Sequence, residues 1–283
     1  MRIQKVGVVG CGLMGSGIVE TCARSGYHVV VREVNDALLE KGLQRIKASM
    51  AKAVEKGKLP QEDMNAAWNR IKGTIVLEDL KESDLVIEAA LENMGEKKQI
   101  FAAMDKLCAP HAIIASNTSS LCITEMASVT RRTDKVLGMH FFNPVPVMPL
   151  LEIVRTILTS EKTLHTAQEF GTSLGKTTIV AKDTPGFIVN LLLVPYLLTA
   201  VRALENGVAT REDIDSGMKL GCNHPMGPLT LLDFVGLDTA YYIANIMYDE
   251  FKEPHYAPPP LLKRMVLAGH YGRKTGKGFY DYK

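Results

Sequence analysis

Short apolar runs alternate with amphipathic stretches over the first two thirds of the chain. The apolar run Val6–Val9 enters a glycine-rich turn, a helical pattern follows as far as Gly26, and a second apolar run covers Val29–Val31. Residues 36–58 place apolar side chains at helical spacing with Lys and Glu between them, which predicts one long amphipathic helix. This alternation predicts an α/β fold, a doubly wound sheet with helices on both faces.

Further short apolar runs predict the other strands of this sheet. They cover Ile75–Leu77, Leu85–Ile87, Ala112–Ala115, Val136–Met139, Leu150–Val154 and Thr178–Val180. Beyond these runs the pattern is helical, with Thr184 as the expected N-cap of the first helix and Pro185 at its first position. We therefore predict a sheet domain over residues 1–183 and an all-helical C-terminal domain over residues 184–283.

The turn after the first strand contains three glycines, and each has a physical role. Gly10 permits the tight turn, Gly12 lets a pyrophosphate approach the backbone, and Gly15 allows close packing of the helix. Leu13 and Met14 begin that helix, whose N-terminal N–H groups and partial positive charge favour phosphates. A Rossmann-type dinucleotide site is the prediction.

An acidic residue at the end of the second strand indicates which dinucleotide binds. Glu33 follows the middle glycine by about 20 residues, where a carboxylate accepts hydrogen bonds from a ribose diol and repels a 2′-phosphate. The neighbouring Arg32 leaves NADP open as an alternative, although adjacent side chains of a strand point to opposite faces. We expect the cofactor to be NAD.

Composition and charge exclude several classes of protein. The chain has 283 residues and a net charge of +2, which is too small to indicate a nucleic-acid-binding protein. Its five cysteines contain no CxxC pair, and the odd number argues against a disulfide framework. We expect a cytoplasmic protein without targeting peptide, membrane span or bound metal, since no apolar run is long enough to cross a bilayer.

Candidate catalytic residues follow the apolar runs, because ligands of open α/β sheets bind beyond the carboxyl ends of the strands. Glu92, Asn117, Ser119 and His140 all occupy such positions. His140 is the candidate for proton exchange near neutral pH, and a catalytic histidine usually needs a carboxylate that fixes its tautomer. Glu152 is the candidate partner, since a buried carboxylate must be paired; an exposed strand edge is the alternative.

Several motifs in order along the chain resemble those of the L-3-hydroxyacyl-CoA dehydrogenases. Besides the glycine turn and Glu33, they are Ala115-Ser-Asn-Thr-Ser-Ser-Leu121, His140-Phe-Phe-Asn-Pro-Val-Pro146, Asp183-Thr-Pro-Gly-Phe-Ile-Val-Asn190, His224-Pro-Met-Gly-Pro228 and Gly276-Lys-Gly-Phe-Tyr280. Together they cover essentially the whole chain. The resemblance implies NAD-dependent oxidation of an (S)-3-hydroxyacyl-CoA, with 3-hydroxybutyryl-CoA as the expected substrate, and a homodimer.

The resemblance also implies roles for individual residues. It gives proton transfer to His140 and Glu152, and substrate contacts to Ser119 and Asn190. The nicotinamide contacts that it implies fall on Glu92, Lys97, Asn117 and Lys274.

Coenzyme A contacts are implied at Ser49 and Lys56. Ser49, Lys52 and Lys56 share one helix face by spacing, which suits the phosphates of coenzyme A; a solvated basic face is the alternative.

Two other functions remain open on this fold. A dehydrogenase of a sugar acid or another 3-hydroxy acid would use the same fold and the same His–Glu pair without this face. A catalytically silent NAD-binding module is a third possibility, and the four intact residues His140, Glu152, Ser119 and Asn190 argue against it.

Overall fold

A computed structural model describes residues 3–282 and divides the chain into two compact units. The first unit ends at Thr184 and holds the sheet, and the second begins at Pro185 and is helical. The predicted fold class, a doubly wound sheet followed by helices, is confirmed.

Within residues 3–282, eight strands form one sheet in the order β3-β2-β1-β4-β5-β6-β7-β8. Their bounds are β1 Lys5–Val9, β2 His28–Arg32, β3 Ile71–Thr74, β4 Leu85–Glu88, β5 Ile113–Ser116, β6 Val136–Phe141, β7 Leu150–Arg155 and β8 Thr177–Lys182. Neighbours are parallel from β3 to β6, β7 is antiparallel to β6, and β8 is parallel to β7. Strand order reverses at β1, which pairs with both β2 and β4, so a crevice opens beyond the carboxyl ends of these strands.

Helices cover the sheet of the first unit. They are α1 Leu13–Arg24, α2 Asp36–Glu55, α3 Gln61–Trp68, α4 Met94–Leu107, α5 Ile123–Ala127 and α6 Glu161–Ser173. Helix α2 is shorter than predicted, because Lys56 is its C-cap and Gly57 follows in the left-handed region with φ +64°. Apolar side chains of strands and helices form a buried core in this unit, with Val6, Val8, Ile18 and Ile46 among its members.

One predicted strand is wrong. The strand lies at Ile71–Thr74, and residues 75–77 leave it for a short 3₁₀ turn. The true strand reads Ile-Lys-Gly-Thr and lies at the edge of the sheet, so only one of its four residues is buried. The apolar pair Ile75 and Val76, which suggested a strand, is substantially exposed.

The second unit consists of helices around its own apolar core. They are α7 Val189–Glu205, α8 Arg211–Gly221, α9 Pro228–Val235, α10 Leu237–Phe251 and α11 Pro260–Leu267. The predicted helix start at Thr184 and Pro185 is wrong, because Gly186 and Phe187 have φ of +84° and +50°. Positive φ interrupts a right-handed helix, so α7 begins only after this turn.

Candidate active site

The glycine turn between β1 and α1 has the shape that a pyrophosphate requires. Gly10 has φ +97°, and a Cβ there would lie 2.6 Å from the carbonyl oxygen of Ala89. A Cβ on Gly15 would collide with the carbonyl oxygen of Gly10. Gly12 is the N-cap of α1, and a Cβ on it would meet nothing within 4 Å. Two glycines thus allow close backbone packing, and the third leaves the helix N-terminus open to a ligand.

Glu33 lies beside this turn, directly after β2. Its Oε1 accepts a hydrogen bond of 2.7 Å from the Cys11 N–H, and its Oε2 accepts one of 2.9 Å from the Val34 N–H. The carboxylate is therefore fixed next to the glycine turn, at the position where Rossmann-type folds bind the adenosine ribose of a dinucleotide. Burial, together with Glu33, raises the pKa of the Cys11 thiol to about 11, so this cysteine is a protonated thiol near neutral pH.

A buried ionic cluster occupies the carboxyl ends of β4 and β5. The Lys97 ammonium on α4 lies 2.7 Å from Glu88 Oε1 and 3.1 Å from Glu92 Oε2, although the lysine side chain is only 1% exposed. Glu88 also accepts hydrogen bonds from the Ser116 hydroxyl at 2.6 Å and the Ala90 N–H at 2.7 Å. Two carboxylates thus compensate the one buried ammonium, and the donors from Ser116 and Ala90 satisfy the oxygens of Glu88.

The polar segment after β5 is attached to this cluster. Glu92 Oε1 accepts hydrogen bonds from the Thr118 hydroxyl and, at 3.3 Å, from the Ser119 N–H. The side-chain oxygen of Asn117 accepts the Phe141 N–H at 3.0 Å, which ties the end of β5 to the end of β6. The sheet thus brings Glu92, Asn117 and Ser119 to one edge, as their positions after the strands predicted, and α4 adds Lys97.

His140 and Glu152 form a buried pair in the same unit. They are direct cross-strand partners in the antiparallel β6–β7 ladder, and Nδ1 of the histidine lies 2.6 Å from Oε2 of the glutamate. Glu152 has no exposed side-chain surface because β7 lies between two strands, so its alternative placement at an exposed strand edge is wrong. The pairing of Nδ1 with a carboxylate orients the imidazole ring and favours the tautomer that carries its proton on Nδ1.

The remaining predicted residues lie on other elements of the fold. Ser49 and Lys52 are exposed on α2, and the exposed Lys56 caps its C-terminus. Leu13 and Met14 begin α1. In the second unit, Asn190 is the second residue of α7, and Lys274 forms an ion pair with Asp238.

Sequence reasoning missed Glu88 and Thr118 as parts of the site. A usable signal for Glu88 was its position as the single charged residue at the end of the buried run Leu85–Glu88. Asp183, part of one of the motifs, has a structural role, since it accepts the Ile123 N–H at 3.0 Å and the Thr124 hydroxyl at 2.6 Å. It therefore caps α5.

Between residues 3 and 282, no group of three or more His, Cys, Asp or Glu side chains is placed to hold a metal ion. None of the helices described there combines the length and apolar character that a membrane span needs.

Comparison with known proteins connects this geometry to a family. Residues 5–184 match the profile of the 3-hydroxyacyl-CoA dehydrogenase NAD-binding domain, and residues 186–282 match the profile of the C-terminal domain of the same family. The chain is 51% identical to a 3-hydroxybutyryl-CoA dehydrogenase of Mycobacterium tuberculosis over 282 residues, 99% of each protein. It is 44% identical to human mitochondrial hydroxyacyl-coenzyme A dehydrogenase over 288 residues, 99% of this chain and 92% of the human protein.

A solved structure supports the same family. The crystal structure of (S)-3-hydroxybutyryl-CoA dehydrogenase from Ralstonia eutropha superposes with a TM-score of 0.96, at 46% identity and with 100% of both chains covered. Fold, order of motifs and identity over the full length lead to the same assignment: the chain belongs to the 3-hydroxyacyl-CoA dehydrogenase family.

Proposed function

We propose that this enzyme oxidises (S)-3-hydroxyacyl-CoA, with 3-hydroxybutyryl-CoA as its substrate, to 3-oxoacyl-CoA with NAD, and catalyses the reverse reaction. The observation that carries this proposal is the buried pair of His140 and Glu152 at 2.6 Å, in the unit that matches an NAD-binding domain. The names of the relatives support the substrate class.

General acid–base catalysis is the chemistry that the protein's own residues supply. In the oxidation, Nε2 of His140 accepts the proton of the 3-hydroxyl group, and the Glu152 carboxylate stabilises the imidazolium that forms. In the reduction, the same nitrogen returns the proton to the oxygen on C3. Ser119 and Asn190 are proposed to hold the substrate oxygens in place. The nicotinamide, when bound, exchanges the hydride with C3.

The glycine turn and Glu33 fit NAD. The open side of Gly12 and the N-terminus of α1 accept the pyrophosphate, and the fixed Glu33 carboxylate accepts hydrogen bonds from the ribose. We further propose that Glu92, Lys97 and Asn117 surround the nicotinamide together with Lys274. The Asn117 side-chain oxygen bonds the Phe141 N–H, so its amide nitrogen is the atom that would face the cofactor.

We expect Glu33→Ala to weaken NADH binding about 10–150-fold, since a hydrogen bond to a charged group contributes about 1.5–3 kcal/mol. The affinity for NADPH should fall less, because the repulsion of the 2′-phosphate is removed. Titration of both dinucleotides by fluorescence measures the two dissociation constants, with Glu40→Ala on the exposed face of α2 as the control. A wild-type preference for NADPH would contradict this role of Glu33.

The exposed basic end of α2 gives a second prediction, for coenzyme A. We expect Ser49→Ala combined with Lys56→Ala to raise the KM for acetoacetyl-CoA about 3–10-fold, a range set by solvent-exposed charge-assisted contacts. The rise should shrink with added salt. Acetoacetyl-pantetheine, which lacks the nucleotide, is the matched control and should keep its KM. Equal losses on both thioesters would show general damage, and an unchanged KM would show a merely solvated face.

An absorbance assay of NADH oxidation tests the proposed function. We expect rapid oxidation with acetoacetyl-CoA and none with the 3-oxo form of a sugar acid. The reverse preference would favour the sugar-acid alternative, and no turnover with any oxo substrate would favour a silent module.

The homodimer stays a prediction. The large apolar side chains of Leu192 and Leu220, 70% and 85% exposed, support an interface on the second unit. Sedimentation equilibrium would give the mass of a monomer if the prediction is wrong.

A further inference from the structure

A series of side-chain contacts connects the end of β4 to the segment after β5. Glu88 has no exposed surface and contacts the Lys97 ammonium at 2.7 Å. The same ammonium contacts Glu92 at 3.1 Å. Glu92 in turn accepts hydrogen bonds from the Thr118 hydroxyl and the Ser119 N–H. Glu88, which does not belong to the predicted site, is thus connected through two side chains to the proposed substrate serine.

Glu88 and Glu92, the two carboxylates in this series of contacts, are held to different degrees. Glu88 is fixed by burial and by donors from Ser116 and Ala90 in addition to Lys97. Glu92 is 28% exposed, so packing alone does not fix it, and the Lys97 ammonium determines where one of its oxygens lies. Glu88 therefore sets the position of Lys97, and Lys97 sets the position of Glu92.

We propose that Glu88 is a positioning residue, which holds Glu92 and the backbone of Ser119 in the geometry that catalysis needs. The proposal rests on the proposed function for its kinetic readout. If Glu88 is made neutral, the buried ammonium is attracted to Glu92 alone, and this carboxylate is drawn away from Thr118 and Ser119. A displacement of about 1 Å in a reacting constellation can cost about 10²-fold in rate.

The experiment compares Glu88→Gln with Glu20→Gln, which has the same change at another buried and ion-paired glutamate of the first unit. Glu20 is 2% exposed and lies 3.1 Å from Arg24 on α1. We expect kcat/KM for acetoacetyl-CoA to fall about 10–100-fold in Glu88→Gln and to stay within about threefold of wild type in Glu20→Gln. Hydrogen–deuterium exchange at residues 117–121 should become faster in Glu88→Gln only.

A double variant separates positioning from stability. Glu88→Gln leaves the buried ammonium with one carboxylate in place of two, which should lower Tm. The further change Lys97→Met removes this ammonium, so we expect Tm to recover toward the wild-type value. The slow exchange of residues 117–121 should not recover, because Glu92 has lost its ammonium partner. Catalysis should not recover either, both for this reason and because Lys97 is itself a proposed nicotinamide contact. The double variant also serves as the test if Glu88→Gln alone does not fold.

Three results would overturn the proposal: wild-type kcat/KM in Glu88→Gln, unchanged exchange at residues 117–121, or recovery of activity together with Tm in the double variant. The exchange measurement does not depend on the substrate. A wild-type enzyme without turnover of acetoacetyl-CoA would therefore count against the proposed function alone, while the exchange data still decide the role of Glu88.

Discussion

Replacement of His140 with glutamine is expected to reduce turnover of acetoacetyl-CoA by about 10²–10⁴-fold, the usual contribution of general acid–base catalysis. Glutamine can still donate a hydrogen bond to Glu152, so the buried carboxylate keeps a partner and the fold should persist. Glutamine cannot exchange a proton near neutral pH, and this is the property that the variant removes. Steady-state kinetics of NADH oxidation measure the loss.

A second histidine–carboxylate pair of the first unit provides the matched control. Nε2 of His111 lies 3.1 Å from Asp84, and the histidine side chain is 53% exposed. We expect His111→Gln to keep wild-type kcat, and both variants to bind NADH with wild-type affinity. If His140→Gln also kept near-normal kcat, His140 would not be the proton-transfer residue.

The second large effect concerns stability, and it arises from Asp215 in α8. Its buried carboxylate accepts hydrogen bonds from the N–H groups of Leu229 and Thr230 at 2.8 and 3.0 Å, and from the Thr230 hydroxyl at 2.5 Å. The Tyr280 hydroxyl donates a further bond at 3.0 Å. Burial, and then Asp215 itself, raises the pKa of Tyr280, so this hydroxyl is a donor at any physiological pH.

Asp215→Ala should therefore lower the free energy of unfolding by about 3–5 kcal/mol. The substitution removes the cap at the N-terminus of α9 and several hydrogen bonds to a buried charge. Urea denaturation followed by circular dichroism measures this loss. Asp249→Ala is the control, since that side chain is 76% exposed and its loss should cost less than about 0.5 kcal/mol. Equal midpoints for the two variants would contradict the structural role of Asp215.

The sequence predicted the parts of the site that local patterns determine. The glycine turn lies within one strand–turn–helix unit, so its spacing alone indicated how each glycine is used. His140 and Glu152 were recognisable singly, as a histidine close to the end of an apolar run and a carboxylate within another. The structure adds the register of the two strands, which places these residues directly opposite each other.

Features that depend on the packing of distant elements could not be predicted. Lys97 follows Glu88 by nine residues, and their contact exists because α4 packs where it brings the ammonium over the end of β4. The edge strand Ile71–Thr74 was missed because an edge position requires few apolar residues. The start of α7 was misplaced because the positive φ of Phe187 is unusual for a non-glycine residue.

A crystal structure of the wild-type protein with NAD and acetoacetyl-CoA, two oxidised compounds that cannot react with each other, would test the central claim most directly: that His140 exchanges the proton with the oxygen on C3. We expect this oxygen to lie about 2.6–3.2 Å from Nε2 of His140, while Nδ1 stays on the Glu152 carboxylate. The claim would be contradicted if the C3 oxygen of the ordered substrate contacted other groups and left His140 out of hydrogen-bond reach.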